Sequence, residues 1–231
     1  MVAIRNRFGD KLERALPLAV IVMMAAALWA IFMVAPEEAT MGEVQRIFYA
    51  HLSSAWVAFL AFALSFVCSI GFLSTRSMSF DRWAAASAEI GVLFCSAVLM
   101  TGPLWAKPVW GIWWTWDARL TSTFVLWLIY VGYLFVRRLV SPPEIKAPLS
   151  AVVAIVGFVD VPIVYMAIRW WRTQHPQPVI GGGEGSGLNP AMAKVLILSF
   201  LAWILLAAAL CWLRVRIAGL EERVGRIKKQ T

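Results

Sequence analysis

Six apolar stretches, each long enough to cross a bilayer as a helix, divide this chain and constrain its fold more than any other feature. They cover 16–35, 52–73, 84–104, 122–140, 148–168 and 191–213. A helix rises about 1.5 Å per residue, so about 20 residues traverse the ~30 Å hydrocarbon core. Composition agrees: of 231 residues, 61% are hydrophobic and 15% charged, and the mean hydropathy is +0.75. Soluble chains average about 45–50% apolar and about 25% charged residues. A water-exposed domain this apolar would carry large aggregating patches, and the same figures exclude disorder. No stretch alternates with the period of two that a barrel strand needs, so the α-helix is the spanning form that satisfies its own backbone in lipid. The expected fold class is therefore all-α: an integral membrane bundle of six transmembrane helices, one membrane domain filling 1–231. The first stretch is longer than a signal-peptide core, and Pro36 follows the only plausible small-residue cleavage site, so it reads as a retained span.

The charge pattern sets the orientation. The net charge is +8 and the pI about 9.9. In a soluble chain that balance would suggest nucleic acid; in a membrane chain Lys and Arg report topology first, and no nucleic-acid partner is expected. The segments 1–15, 74–83, 137–147 and 214–231 hold 15 of the 21 Lys and Arg. This side reads as cytoplasmic, with both termini on it and the tail Arg214, Arg216, Arg223, Arg226, Lys228 and Lys229 as its anchor at the lipid surface. In a bacterial inner membrane the other side is the periplasm. Cys68, Cys95 and Cys211 sit in separate apolar stretches and form no CxxC or CxxCH, so they read as buried thiols. The glycine-rich run 181–187 reads as a flexible loop, without the form of a phosphate loop. Two acids fall inside spans. Glu89 reads as an interfacial carboxylate facing water. Asp160, two residues before Pro162, is either a structural acid at a proline kink or a functional intramembrane group.

The chemistry-bearing residues collect on the less basic side. Seven of the 13 Trp lie there: Trp105, Trp110, Trp113, Trp114, Trp116, Trp170 and Trp171. So do the chain's two histidines, His51 ahead of the second span and His175 ahead of the sixth. An aromatic belt explains isolated tryptophans such as Trp29, Trp83 and Trp212, but not four indoles within seven residues. Trp110, Trp113, Trp114 and Asp117 recur at i, i+3, i+4 and i+7, which predicts an interfacial helix presenting one apolar face. Arg46, Lys107, Arg119, Arg169 and Arg172 border this region. The ligand that suits such a surface is planar, largely apolar, anionic at one edge, and carries a metal with two axial positions. Haem meets each requirement: indoles for the macrocycle, imidazoles for iron, cations for the propionates. A zinc site would need more ligands than these loops offer. Iron held by two histidines has no open position, which suits storage, hand-over or electron transfer.

The run Trp110-Gly-Ile-Trp-Trp-Thr-Trp-Asp-Ala-Arg-Leu-Thr-Ser122 resembles the tryptophan-rich signature of the haem-handling superfamily that serves bacterial cytochrome c biogenesis. With Arg46-Ile-Phe-Tyr-Ala-His51, Trp105-Ala-Lys-Pro108 and Trp170-Trp171-Arg172-Thr-Gln-His175, it is similar to the CcmC (haem exporter protein C) family, from about Arg46 to Leu213. The chain departs from the family pattern at Ser53, Ala106 and Asp160. The resemblance implies a multi-pass protein of the bacterial inner membrane, not an enzyme. It implies non-covalent haem b at the periplasmic face, with His51 and His175 as axial ligands and Trp105, Trp110, Trp114, Trp116, Asp117 and Arg119 around the haem. It further implies haem transfer to the chaperone CcmE, association with the single-span CcmD, and ATP handled by the CcmA/CcmB ABC transporter. Asp117 has an alternative role as the cap of the fourth span. The other functional classes are a b-type membrane electron carrier and a haem permease subunit.

Overall fold

The computed structural model describes residues 7–171, 173–176 and 187–228. They form seven α-helices: α1 (Arg7–Trp29), α2 (Arg46–Thr75), α3 (Met78–Trp110), α4 (Ala118–Leu139), α5 (Pro143–Phe158), α6 (Asp160–Trp170) and α7 (Pro190–Lys228). A π-helical turn, Ala30–Val34, continues α1, and a 3-10 turn, Glu43–Gln45, leads into α2. Six segments are long and apolar enough to cross a membrane, with α5 and α6 together making one of them. The chain is a multi-pass membrane protein, and the six expected spans all correspond to observed helices. Arg172, residues 181–186 of the glycine-rich run and Lys229 lie outside the described residues.

The helix ends follow local chemistry. Arg76 adopts a left-handed conformation and its N–H closes α2 on the Phe72 carbonyl. Asp117 caps α4, its carboxylate accepting from the N–H groups of Arg119 (3.0 Å) and Leu120 (3.1 Å). Pro162 lacks an N–H, and its ring excludes the carbonyl four residues back; the fifth span accordingly breaks at Val159 and restarts at Asp160.

Several spans are longer than their apolar stretches. α3 runs through Pro103 and Pro108 to Trp110, and α2 begins at Arg46. His51, Trp105 and Trp110 are therefore helical residues, not loop residues. α7 continues well past Leu213 as a charged helix. The predicted interfacial helix over Trp110–Asp117 does not form. Gly111 adopts φ +75° and ends α3, and 111–117 is irregular up to the α4 cap, with Trp116 at φ 55°. The periodicity was real, but one left-handed residue at its second position removes the helix that would express it.

α2 lies at the centre, packed against α3, α5 and α7; α4 packs on α3, α5 and α6, and α1 on α7. Small residues let α2 and α3 approach closely, as membrane helix pairs require. Gly91 faces the ring of Phe62, and a Cβ at that position would fall inside the ring's contact radius. Phe62 in turn stacks on Tyr130, with centroids 3.9 Å apart. Hydrogen bonds pin the helices pairwise: Ser65 hydroxyl to the Ala84 carbonyl, Tyr130 hydroxyl to the Ala154 carbonyl, Trp127 Nε1 to Ser96 and Trp203 Nε1 to Ser54. On the basic side, three ion pairs tie α3 to its neighbours. Arg137 pairs with Asp81, Arg82 with Glu222, and Arg214 with Glu89. Glu89, read as an interfacial carboxylate, remains partly exposed and is also an interhelical partner.

The α2–α3 contact yields a prediction. Gly91→Ala should force Phe62 off its stacking partner and cost about 1–3 kcal/mol, read as a lowered unfolding temperature in detergent. Gly132→Ala, where a Cβ meets no neighbour, should leave that temperature nearly unchanged.

Candidate functional site

On the tryptophan side, α2, α3, α4, α6 and the 173–176 segment enclose a cleft of about 390 Å³. His51 projects from the second turn of α2 and is buried. Its Nδ1 lies 2.8 Å from Thr101 Oγ1. The Thr101 hydroxyl already donates to the Ala97 carbonyl (2.7 Å), so it accepts from His51, and Nδ1 carries the proton. His175, between α6 and α7, has its Nδ1 3.0 Å from the Pro176 carbonyl, which only accepts. Both histidines therefore keep Nε2 unprotonated and available as a ligand, the arrangement in which a partner on one ring nitrogen fixes the chemistry of the other.

The two imidazoles stand 6.5 Å apart between centroids, at an interplanar angle of 35°. A metal held between two imidazoles needs about 2.0 Å for each metal–nitrogen bond and about 1.1 Å from each nitrogen to its ring centre, or roughly 6.2 Å in all. The ring spacing thus matches that of a bis-imidazole centre. Among the described residues no group of three or more His, Cys, Asp or Glu gathers to hold a metal ion.

The walls are aromatic. Trp105 is buried on α3, 6.1 Å from His51 and 6.2 Å from Trp110. Trp113 and Trp114 complete that side, with Phe48, Trp56 and Tyr165 on others. The polar donors left over point to what the cleft accepts. Trp105 Nε1, Trp114 Nε1 and Arg119 Nη1 are buried with no hydrogen-bond partner among the described residues. A buried guanidinium nitrogen without an acceptor is costly, and an anionic ligand group would relieve it.

Of the expected site residues, His51, His175, Trp105, Trp110, Trp114 and Arg119 line one cleft; Trp116 and Asp117 do not. Trp116 turns to an adjoining groove, 5.6 Å from Trp114. Asp117 accepts from Thr115 and from the first turn of α4, so its visible work is to fix the start of the helix that carries Arg119. Among the other expected cations, Arg46 is engaged by Glu43 and the Ile31 carbonyl. Lys107 donates to the Gly111 carbonyl (2.8 Å) and faces Trp113. Arg169 lies over Tyr165. Sequence reasoning missed Thr101 and Phe48. The first is 50 residues from the histidine it orients, and nothing local signals the pairing.

The family model described as "Heme exporter protein C" matches residues 3–230. The Heme exporter protein C of Bradyrhizobium diazoefficiens is 33% identical over 226 residues, covering 96% of this chain and 86% of that one. Its counterpart from Escherichia coli strain K12 is 32% identical, covering 85% of this chain and 79% of its own length. A Marchantia polymorpha protein named as a putative cytochrome c biosynthesis ccmC-like mitochondrial protein is 32% identical, with 84% and 82% covered.

Burial, and then the nearby Arg119 charge, hold the His175 imidazolium disfavoured, with its pKa lowered from the ordinary 6.5 to about 4. In the ligand-free protein His175 should stay neutral down to about pH 4, seen by NMR of labelled histidine. An unfolded chain protonates this group near 6.5 and the folded one does not, so it subtracts stability as pH falls from about 6.5 towards 4. Arg119→Ala should raise the His175 pKa. Titration near 6.5 in both proteins would contradict the half-buried placement beside Arg119.

Proposed function

Because the chain belongs to the Heme exporter protein C family across nearly its whole length, we propose that it is a haem-handling protein of cytochrome c maturation. In this reading it binds haem b non-covalently between His51 and His175 at the periplasmic face of the inner membrane and hands it on, with no catalytic turnover of its own. The observation that carries the reading is the imidazole pair, 6.5 Å apart with both Nδ1 atoms engaged. When bound, haem supplies the flat macrocycle and an iron with two axial positions. Everything else is the work of this chain.

His51 is the rigid half of the pair. It sits on a packed helix and is held by Thr101. His175 is the adaptable half, outside any helix in the connection between α6 and α7. Such a division suits a carrier: one ligand keeps the register while the other lets cargo in and out. Trp105, Trp110 and Trp114 exclude water and contact the macrocycle faces, and their neutral rings do not trap the iron. Arg119 takes a propionate, and Asp117 positions Arg119 by capping its helix. The exposed ring of Trp113 forms part of the surface offered to the chaperone CcmE. CcmD and the CcmA/CcmB transporter are the further partners, with ATP hydrolysis supplied by the transporter.

Two measurements test this reading. Protein purified in detergent should show a low-spin bis-imidazole haem spectrum, and His51→Ala with His175→Ala should remove most bound haem; unchanged haem content would reject the ligand assignment. Arg119→Ala should lower haem retention roughly tenfold or more, while Lys107→Ala, whose ammonium is already spent on the Gly111 carbonyl, should have little effect. Equal, negligible effects would mean the propionates point elsewhere.

A further inference from the structure

A second cavity, of about 490 Å³, opens on the outer face of the bundle between α3 and α4. Its walls are Leu99, Met100, Trp114, Trp116, Phe124 and Trp127, with Ser96 between them. It opens away from the bundle: Met100 is 69% exposed and Trp116 68%. Met100 lies within the apolar stretch 84–104, four residues from its outer end. The groove offers flat aromatic surfaces. Phe124 and Trp127 stack at an interplanar angle of 14°, and Trp116 stands edge-on to Trp114. Its one hydroxyl is already used: Ser96 donates to the Val92 carbonyl and accepts from Trp127 Nε1, each at 2.8 Å. With aromatic walls and no charged group, this groove suits a planar apolar body dissolved in the bilayer.

Two side chains, Leu99 and Trp114, line both this groove and the histidine cleft. They form the partition between lipid and site. Trp114 belongs to the irregular segment between α3 and α4. The hydrogen bonds at its ends, Gly111 N–H to Lys107 and Thr121 N–H to Asp117, belong to the helices on either side. Gly111 (φ +75°) and Trp116 (φ 55°) hold left-handed conformations there, and for a residue as bulky as tryptophan that is strained. The Trp114 indole can therefore move aside without unwinding a helix, and its Nε1 has no partner to lose among the described residues.

We infer that the α3–α4 groove is a bilayer-facing antechamber through which a porphyrin passes sideways into the histidine cleft, with Trp114 and Leu99 as the movable partition. This rests on the haem-binding reading above and adds the route. The lipid side supplies an apolar macrocycle, and the cleft beyond supplies the imidazoles and the guanidinium that retain it.

The test uses the full chain, haem-free, in phospholipid vesicles preloaded with haemin, and follows the appearance of the low-spin spectrum. Met100→Trp fills the mouth of the groove without touching the cleft, and should slow uptake roughly tenfold with the final amount of bound haem unchanged. Met100→Phe should slow it less, and Met100→Ala should not slow it. Ile197→Trp, on the exposed face of α7, is the control and should match the wild type. If the wild type binds haem and all Met100 variants load at its rate, the groove holds only lipid chains and the inference fails. If the wild type shows no histidine-dependent low-spin signal, the haem-binding reading itself fails, which is a distinct outcome.

Discussion

Lipid cannot hydrogen-bond a peptide group, and the consequences of that fact run through this structure. Inside the hydrocarbon each backbone N–H and C=O must find its partner within a helix. Irregular backbone is therefore driven to the two surfaces. The stretches between helices on one surface are short; those on the other hold Trp113, Trp114, Trp116 and one of the two imidazoles. Where a helix does break inside a span, at Val159, the break is one residue long and the helix resumes at once. The site accordingly forms where irregular chain is permitted, at one end of a closely packed bundle.

The bundle gives that end its precision. Gly91 lets α2 and α3 approach until Phe62 fills the gap, and this fixes the two helices in register. Register places His51 opposite Thr101 and Trp105. The hydroxyl of Thr101 then decides which imidazole nitrogen carries the proton. A packing contact deep in the membrane thus sets a tautomer at the surface. α4 contributes in the same way: the Asp117 cap determines where the helix begins, and hence where Arg119 emerges.

Much of this could be read from the residues in order. The apolar stretches predicted every span, because in a membrane the length and hydrophobicity of a segment nearly determine its structure. Both histidines and most of the tryptophans were marked as co-located by being on the same side, and the structure brings His51, His175, Trp105, Trp110, Trp114 and Arg119 to one cleft. What failed was local conformation at Trp110–Asp117. Periodicity describes which face a helix would show but does not say whether the helix exists, and Gly111 decided against it. Interhelical pairings also escaped. Glu89 with Arg214 and His51 with Thr101 join residues 125 and 50 positions apart, and a single sequence carries no trace of such distances. Asp117 showed the reverse: its capping role was readable from position alone, since an acid just ahead of an apolar stretch meets unpaired N–H groups.

The three arginine pairs of α3 have a mechanical meaning. They clamp the helix to α4 and α7 at the end remote from the cleft. Between Asp81 and Trp105 the helix rises about 36 Å. Fastened at its base, such a rod acts as a lever: a tilt of about two degrees at the clamp swings the far tip by roughly an ångström, with no bond broken. The gap between the jaws is then set as much by salt links on the opposite leaflet as by the rings that line it.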